Sequence, residues 1–188
     1  MSASWDDLRA RMLACDGCRL RSGCQRVVFG DGGPGAVLFV LGEAPGEVED
    51  DEGLPFVGES GRLLRSKLFP AFAQREVFIS NTARCRPPSN RDPEPDEVAA
   101  CAEWTRQQFE HLRPVLALAV GRVAAAHLLG RPDVRPGRVR GLVHDGLFGP
   151  VIVTWHPAYA LRNRSAEPEI ASDIAMARAY VDRRIARG

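Results

Sequence analysis

The chain has 188 residues, of which 45% are hydrophobic and 26% charged, and its formal net charge is +1. These values are typical of one globular domain, and they exclude disordered, collagen-like and membrane-spanning chains. The small net charge argues against nucleic acid as a partner, because proteins that bind nucleic acid usually carry a basic excess. Residues 1–7 show no basic stretch followed by an apolar one, so we expect a cytoplasmic protein without membrane association.

The charged residues are distributed unevenly along the chain. Residues 31–60 hold eight acidic side chains and no basic one, and residues 50–52 within them are predicted to form a solvated loop. Residues 61–90 hold six basic side chains against one acidic one, and residues 131–164 hold six arginines against two aspartates. Lys67 is the only lysine. Arginine suits bidentate contacts with phosphate, although a GC-rich genome explains the bias equally well.

The predicted helices and strands alternate. In chain order they are a helix over residues 4–14, a strand over 36–41, a helix over 60–72, a strand over 77–80, a helix over 95–111, a strand over 115–120, a helix over 121–129, a loop or hairpin over 131–149, a strand over 151–154 and a C-terminal helix. The strands are continuous apolar runs, as expected when both faces are buried. We therefore predict an α/β fold, with one three-layer α/β/α domain over residues 1–188 and a central four-stranded parallel sheet.

Ligands bind beyond the carboxyl ends of the strands in such sheets. Residues 42–46, 81–85 and 156–163 follow the first, second and fourth strands and are rich in polar residues or glycine. The turn after the third strand, Gly121-Arg122, is plainer. We predict a pocket built from the first, second and fourth strand ends.

Four of the five cysteines fall into two pairs. The pairs are Cys15-x2-Cys18 and Cys85-x15-Cys101. A C-x2-C turn places two thiolates on one face, and a loop cysteine followed by a helical one can complete a set of four ligands. Spacing alone slightly favours structural zinc over a [4Fe-4S] cluster, with unliganded thiols as a further alternative. Cys24 is predicted to be a buried small hydrophobic residue.

Four blocks of sequence resemble the motifs of the family-4 uracil-DNA glycosylases, the iron–sulfur branch of that superfamily. They are Gly42-Glu43-Ala44-Pro45-Gly46-Glu47-Val48-Glu49-Asp50, Gly53-Leu54-Pro55-Phe56-Val57-Gly58, Asn81-Thr82-Ala83-Arg84-Cys85-Arg86-Pro87-Pro88 and His156-Pro157-Ala158-Tyr159-Ala160-Leu161-Arg162-Asn163. The similarity spans roughly residues 15–163, and the blocks and cysteines together are highly specific. The resemblance implies removal of uracil from single- or double-stranded DNA. It also implies a [4Fe-4S] cluster on Cys15, Cys18, Cys85 and Cys101, which reverses the preference for zinc.

The residue types of these blocks suit removal of a base that has been flipped out of the DNA stack. Phe56 is expected to stack on the base, and the Asn81 amide to pair with uracil N3–H and O4 while rejecting cytosine. His156 is expected to donate a hydrogen bond to uracil O2 as negative charge develops there. Gly42 and Ala44 allow backbone N–H groups to approach the base or sugar closely.

Ala44 stands where better-known uracil glycosylases carry an aspartate, so the aspartate mechanism is not open to this chain. We predict that Glu43 orients the water or stabilises the sugar cation, with Glu47 and Glu49 as alternatives. Gly46 occupies the position of a tyrosine that excludes the thymine methyl group in those enzymes, and Glu49 is expected to form that wall.

Basic residues near the strand ends are predicted to hold the DNA backbone without reading its sequence. They are Arg84, Arg86, Arg91 and Arg162. Relatives insert a leucine into the duplex from the loop after His156, where this chain has Ala160. Leu161 or Tyr159 is therefore expected to supply the wedge.

We predict a monofunctional DNA-repair hydrolase that leaves an abasic site, because no lysine is placed to form a Schiff base. One alternative is a glycosylase of the same superfamily for hypoxanthine or xanthine, since Ala44 and Gly46 leave the pocket size open. Another is a non-catalytic iron–sulfur protein that binds nucleic acid or transfers electrons. The presence of both Asn81 and His156 at separate strand ends argues against it. We expect a monomer, with a sliding clamp as a candidate partner.

Overall fold

The computed structural model describes residues 4–187 as a five-stranded sheet with helices on both faces. The strands are β1 (Leu38–Gly42), β2 (Val77–Asn81), β3 (Leu116–Val120), β4 (Val143–Gly146) and β5 (Gly149–Thr154). The helices are α1 (Trp5–Leu13), α2 (Glu47–Glu52), α3 (Glu59–Leu68), α4 (Pro95–Leu112), α5 (Arg122–Leu129), α6 (Pro136–Val139), α7 (Pro157–Arg162) and α8 (Ala166–Ile185). Among these residues, no helix combines the length and the apolar character needed to cross a membrane.

The strand order in the sheet is β2-β1-β3-β5-β4. Strands β1, β2, β3 and β5 are mutually parallel, which confirms the predicted α/β class and its four parallel strands. The sheet has a fifth strand because residues 143–154 form a hairpin that adds β4 antiparallel to β5. β4 lies at the sheet edge and is only partly buried, so it lacks the continuous apolar run that marks the other strands.

Alternate residues of the parallel strands face two separate hydrophobic layers, as the period of two along a strand requires. Phe39 and Leu41 of β1 face a layer shared with α1, α4 and α5. Leu38 and Val40 face the opposite layer, which they share with α3 and α8. The sheet is therefore rigidly buried on both faces, and its carboxyl edge is a fixed platform for the loops that follow each strand.

The acidic run that was predicted to be a solvated loop forms the end of α2 instead. Asp50 is 2% exposed, and its carboxylate accepts hydrogen bonds from the backbone N–H groups of Gln25 (2.9 Å) and Arg26 (3.1 Å). A helix carboxylate here satisfies amides of a neighbouring loop that has no strand partner. The prediction was wrong for the helix and for Asp50, because nothing in the local composition shows that this loop packs against the acidic run, whereas Asp51 and Glu52 are exposed as predicted.

Candidate active site

A cavity of about 430 Å³ opens at the carboxyl ends of β1, β2 and β5. It is lined by predicted site residues, namely Glu43, Ala44, Glu49, Phe56, Asn81, Arg91, His156 and Arg162. Gly46, Asn90, Asp92 and Tyr159 also contribute to its wall. The structure thus brings together residues from all four blocks of the sequence.

Gly42 makes room for two larger side chains at the base of the cavity. It pairs with Asn81 in the β1–β2 register, and a Cβ at Gly42 would lie 2.5 Å from Asn81 Oδ1 and overlap the Phe56 ring. Asn81 is 2% exposed, and within residues 4–187 its amide has no protein hydrogen-bond partner. Its donor and its acceptor are therefore both available to a ligand.

The backbone at Phe56 is held in the left-handed region, with φ of 55°. Arg65 holds this conformation by donating hydrogen bonds to the carbonyls of Phe56 (2.9 Å) and Pro55 (2.8 Å). Gly61 permits it, because a Cβ there would overlap the Phe56 backbone. The Phe56 ring lies 6.1 Å from the His156 ring, centroid to centroid. A strained residue that its neighbours fix in place is typical of ligand-binding sites.

The Glu49 carboxylate closes the cavity wall beside Gly46. Its Oε1 accepts hydrogen bonds from the N–H groups of Val57 (2.9 Å) and Gly58 (2.8 Å), which fixes the loop after Phe56. A Cβ at Gly46 would lie 2.9 Å from Glu49 Oε2. Glu49 therefore occupies the space that a side chain at position 46 would take.

His156 is the N-cap of α7, and its Nδ1 accepts a hydrogen bond from the Ala158 N–H at 3.3 Å. The pKa of His156 is lowered to about 4, mainly by burial and also by the charge of Arg162, while the charges of Asp92 and Glu49 act in the opposite direction. The ring is therefore neutral near pH 7. Because Nδ1 is an acceptor, the ring proton is on Nε2.

The turn after β3 is not plain, in contrast to the prediction. Gly121 has φ of +90°, and a Cβ there would lie 2.9 Å from the His156 Cβ, so only glycine allows this approach. The next residue, Arg122, forms an ion pair with Asp92. All four parallel strand ends therefore contribute to the site, directly or through a neighbour.

Glu43 lies beside a second acidic residue, Asp92, that the sequence interpretation missed. The pKa of Glu43 is raised to about 7, first by burial and then by the charge of Asp92 and a hydrogen bond with it, while the charge of Arg122 acts in the opposite direction. Asp92 lies 49 positions away in a polar loop, and its only sequence signal is an acidic residue after the second strand. Glu47, one alternative to Glu43, is exposed and faces Arg86 at 3.5 Å.

Arg84 cannot contact DNA, so that prediction was wrong. It is 1% exposed, and it donates hydrogen bonds to the Thr82 carbonyl (2.9 Å), Thr105 Oγ1 (2.9 Å) and Gln108 Oε1 (2.8 Å). Burial lowers the pKa of Arg84 to about 10, so the guanidinium keeps its charge at neutral pH. An arginine in a polar loop is usually exposed, but this loop turns the side chain inward against α4.

The other predicted DNA contacts lie at or near the mouth of the cavity. Arg91 and Arg162 line it, and Arg86 Nε donates to Asn90 Oδ1 at 2.7 Å. Leu161 is 40% exposed, whereas Ala160 is buried in the layer formed by α3 and α8. Leu161 therefore projects outward from α7, and Ala160 has no free surface to insert into DNA.

All five cysteines are free thiols, and in residues 4–187 no three His, Cys, Asp or Glu side chains are arranged to hold a single metal ion. Cys15, Cys18, Cys85 and Cys101 nevertheless lie close enough to act on one another. Burial raises the pKa of the Cys101 thiol, and the charges of Cys15 and Cys18 add to the effect. Burial likewise raises the pKa of Cys85, with contributions from Cys24, Cys101 and Cys18. Cys24 is buried beside Cys85, as predicted.

The surroundings of these four cysteines fit an anionic thiolate cluster. The Gly17 N–H donates a hydrogen bond to Cys15 Sγ at 3.4 Å. Such N–H donors stabilise thiolates that ligate iron. The buried Arg84 guanidinium has only uncharged hydrogen-bond partners, so it fits a site that contains negative charge.

A cavity at the carboxyl edge of a parallel sheet, with an unpartnered amide and a neutral histidine, suits a protein that acts on a base. The family model described as "Uracil DNA glycosylase superfamily" matches residues 29–180. The chain therefore belongs to the uracil-DNA glycosylase superfamily.

Known relatives narrow this assignment. A "Type-4 uracil-DNA glycosylase" of Thermotoga maritima is 39% identical over 175 residues, which cover 91% of each chain. The protein of the same description from Archaeoglobus fulgidus is 37% identical over 178 residues, 90% of this chain and 89% of its own. The one from Saccharolobus solfataricus is 39% identical over 158 residues, 79% and 73% respectively. The chain is a member of the type-4 family, which confirms the resemblance found in the sequence.

Proposed function

We propose that this protein hydrolyses the N-glycosidic bond of uracil in DNA and leaves an abasic site. The main support for the proposal is that Asn81, His156 and Phe56 line one cavity, in a chain that belongs to the type-4 family. Binding alone would not need an amide and a neutral imidazole from separate strand ends. Together they match the polar edge and the face of one flipped base.

Uracil is recognised by stacking and by one amide. Phe56 covers the face of the base, and the unpartnered Asn81 amide accepts from N3–H and donates to O4. Cytosine presents the reverse donor and acceptor there, so the same amide rejects it. Glu49 fills the space beside Gly46, where a methyl group at C5 would otherwise fit. This wall favours uracil over thymine.

Cleavage of the bond leaves negative charge on the base and positive charge on the sugar. The neutral His156 donates its Nε2 proton in a hydrogen bond to O2, where the charge of the departing uracil develops. Glu43 faces the sugar side, where its carboxylate orients the water and stabilises the cation. Both groups are held in a partly enclosed cavity, in which electrostatic effects are stronger than in water.

DNA is held by arginines and opened by α7. Arg86 and Arg162 contact phosphates around the mouth of the cavity, beside Arg91, whose two terminal nitrogens donate to Glu97. Leu161 inserts into the duplex from its exposed position. Lys67, the only lysine, forms an ion pair with Glu167 at 2.6 Å, on the surface between α3 and α8. It does not line the cavity, so no Schiff base forms and the enzyme is monofunctional.

Cys15, Cys18, Cys85 and Cys101 hold a [4Fe-4S] cluster in this proposal. When bound, the cluster ties the N-terminal segment to the cysteine loop and to α4 through iron–thiolate bonds. Glu43 and His156, which act on the glycosidic bond in this proposal, follow β1 and β5 and lie outside the segments that carry the cysteines. The chain acts as a monomer, and recruitment by a sliding clamp is a further prediction that a pull-down with the clamp tests.

The test is excision from oligonucleotides that carry uracil, hypoxanthine, xanthine or a thymine mispair. We expect excision of uracil from single- and double-stranded DNA, with alkali-labile abasic products and no strand cleavage by the enzyme itself. Asn81→Ala and His156→Ala should lose excision by roughly 10²-fold or more while DNA binding survives. Asn81→Asp is a matched variant that keeps the side-chain size, and it should also lose excision because a charged acceptor oxygen replaces the donor that faces uracil O4.

Two results would contradict the proposal. If a preparation with its iron intact removes hypoxanthine or xanthine but not uracil, the chain is a glycosylase of the same superfamily with a different substrate base. Equal loss of DNA binding and excision in Asn81→Ala and His156→Ala would make both residues structural, as expected of a non-catalytic nucleic-acid-binding protein.

A further inference from the structure

Arg84 is a fully buried cation without an acidic partner. It is 1% exposed and has the largest fully buried side chain of residues 4–187. Its guanidinium donates to a carbonyl, a hydroxyl and an amide, on Thr82, Thr105 and Gln108, none of which is charged. Its Nε has no hydrogen-bond partner at all within the described residues.

A buried charge of this kind needs a compensating charge nearby. Three other arginines around the cysteine segments pair with carboxylates, Arg19 with Asp96 and Glu97, Arg86 with Glu47, and Arg91 with Glu97, while the partly exposed Arg21 donates to the Cys24 carbonyl. None of the partners of the Arg84 guanidinium is a carboxylate, and one of them, Thr105 on α4, lies one helical turn after Cys101 on the buried face of that helix. Arg84 also directly precedes Cys85 in the chain. The compensating charge must therefore come from the cysteine site.

We propose that Arg84 is the internal counter-charge of the iron–sulfur cluster, and that it stabilises the cluster and raises its reduction potential. The inference rests on the cluster site of the proposed function, and goes beyond it by assigning an electrostatic role to a residue that is not a ligand. A cluster with four thiolate ligands is anionic, and reduction adds a further negative charge. A fixed cation nearby stabilises the reduced form more than the oxidised form.

Three variants separate the charge of Arg84 from its packing. Arg84→Met removes the charge and keeps much of the side-chain length. Arg84→Lys keeps the charge and loses the planar fork. Thr105→Asp leaves Arg84 in place but sets a carboxylate where Thr105 Oγ1 now accepts its hydrogen bond, so the net charge of the pair is cancelled. Thr105→Asp keeps the test open if Arg84→Met fails to fold.

The measurements are iron content, the rate at which a chelator bleaches the cluster absorbance, and the midpoint potential from a spectroscopic redox titration. In Arg84→Met and Thr105→Asp we expect a lower midpoint potential and cluster loss faster by on the order of tenfold. Arg84→Lys should have a midpoint potential and a rate of cluster loss close to those of the parent protein. Arg178→Met is the matched control, because Arg178 also has an unpartnered Nε but pairs with Glu76 and Asp182 on α8. It should lower the unfolding temperature without moving the potential.

Each outcome is decisive. An unchanged potential and bleaching rate in both Arg84→Met and Thr105→Asp would overturn the role of Arg84, while leaving uracil excision untouched. A shift of equal size in Arg178→Met would attribute the effect to loss of fold stability. If the parent protein contains no iron after anaerobic purification, both the cluster and the proposed role of Arg84 are overturned. Uracil excision by that iron-free chain would still support the proposed activity.

Discussion

Glu43 and His156 face one cavity, and burial drives both toward their neutral forms. The pKa of Glu43 rises to about 7 and that of His156 falls to about 4, each mainly through loss of hydration. Asp92 acts on both groups, raising each pKa, while Arg122 opposes it at Glu43 and Arg162 opposes it at His156. The histidine is therefore a neutral donor throughout the physiological range, and the carboxyl group is the one that titrates near neutrality.

This difference predicts the pH dependence of uracil excision. In the proposed function Glu43 orients water as a carboxylate, so the single-turnover rate should rise with pH through about 7, the pKa of Glu43. Asp92→Asn removes a negative charge and should move this rise to lower pH, whereas Arg122→Met removes a positive charge and should move it to higher pH. Rates are measured across pH at saturating enzyme.

Glu43→Gln is the control for this assignment, since its rate should be lower by roughly 10²-fold and flat across the same range. If the pH at which the excision rate rises is unchanged in both Asp92→Asn and Arg122→Met, the group that titrates is not Glu43. No second limb is expected near neutrality, because His156 titrates at about 4.

Gly42 gives a second prediction at the residue scale. Gly42→Ala should abolish most excision, by roughly 10²-fold, because its Cβ would overlap the Phe56 ring and lie 2.5 Å from Asn81 Oδ1. Gly23→Ala is the matched control, since φ is −109° there and the nearest atom to a Cβ is 3.9 Å away. Comparable loss in the two variants would show that the effect comes from general destabilisation. Excision assays and thermal unfolding are compared for both.

The site residues that the sequence could predict are those that stand in the motifs of the resemblance and have side chains that suit a base, namely Phe56, Asn81 and His156. Asn81 and His156 also lie at the ends of apolar strands. Asp92 and Arg84 could not be interpreted in this way, because one depends on a partner 49 positions distant and the other on the direction in which a loop turns. Pairing and burial of charged residues are tertiary properties, so composition does not reveal them.

At the scale of elements, Glu97 joins the segments that carry the cysteines. Its side chain is fully buried on α4, one turn before Cys101. It accepts hydrogen bonds from Arg19 Nε (2.7 Å), next to Cys18, and from Arg91 Nη2 (2.7 Å), in the loop after Cys85. These bonds, Arg91 first, lower the pKa of Glu97 to about 2. One carboxylate thus fixes α4 to both neighbouring segments.

Glu97 should make stability depend on pH at the acid end. Its folded-state pKa of about 2 lies below its ordinary value of 4.5, so its contribution is complete above 4.5 and disappears as pH falls toward 2. The shift corresponds to roughly 3 kcal/mol. Glu97→Gln should lower the free energy of unfolding at pH 7 by a similar amount and flatten its acid dependence, measured by urea unfolding.

Glu103→Gln, on the exposed face of α4, is the comparison. The Glu103 side chain is 54% exposed and its ion pair with Arg106 is solvent-screened, so we expect little change in stability. If Glu97→Gln and Glu103→Gln lower the free energy of unfolding equally, the burial of Glu97 does not increase its contribution to stability.

Elements were predictable where burial is uniform. The four parallel strands are buried along their length and therefore appear as apolar runs, while β4 is partly exposed at the sheet edge and has no such run. Helix α2 was missed because six mostly acidic residues have no apolar stripe, and its place is fixed by the contacts of Asp50 and Glu49 instead. Short elements held by polar contacts leave little trace in hydrophobic periodicity.

For the whole molecule, the net charge of +1 conceals a separation of charge that suits a DNA enzyme. Acidic residues of the first motif are used inside the structure: Glu49 and Asp50 accept backbone N–H groups, and Glu43 faces the cavity. Arginines remain at the mouth of the cavity, where Arg91 and Arg162 lie. Affinity for DNA depends on charge at the contact surface, so the total charge is a poor guide to it.

The salt dependence of DNA binding tests this separation of charge. The logarithm of the affinity should fall linearly with the logarithm of the salt concentration, by about 0.9 for each phosphate contact. Arg162→Gln should reduce that slope by about 1 and weaken binding equally for DNA with and without uracil, because a phosphate contact carries no base information. Arg183→Gln is the control, because it changes the total charge by the same amount but lies in the last turn of α8. An ion pair joins Arg178 of α8 to Glu76, which directly precedes β2, so this end of α8 lies near the amino ends of the strands and away from the cavity. The slope for Arg183→Gln should match that of the parent protein, and equal slopes for the two variants would mean that net charge governs binding after all.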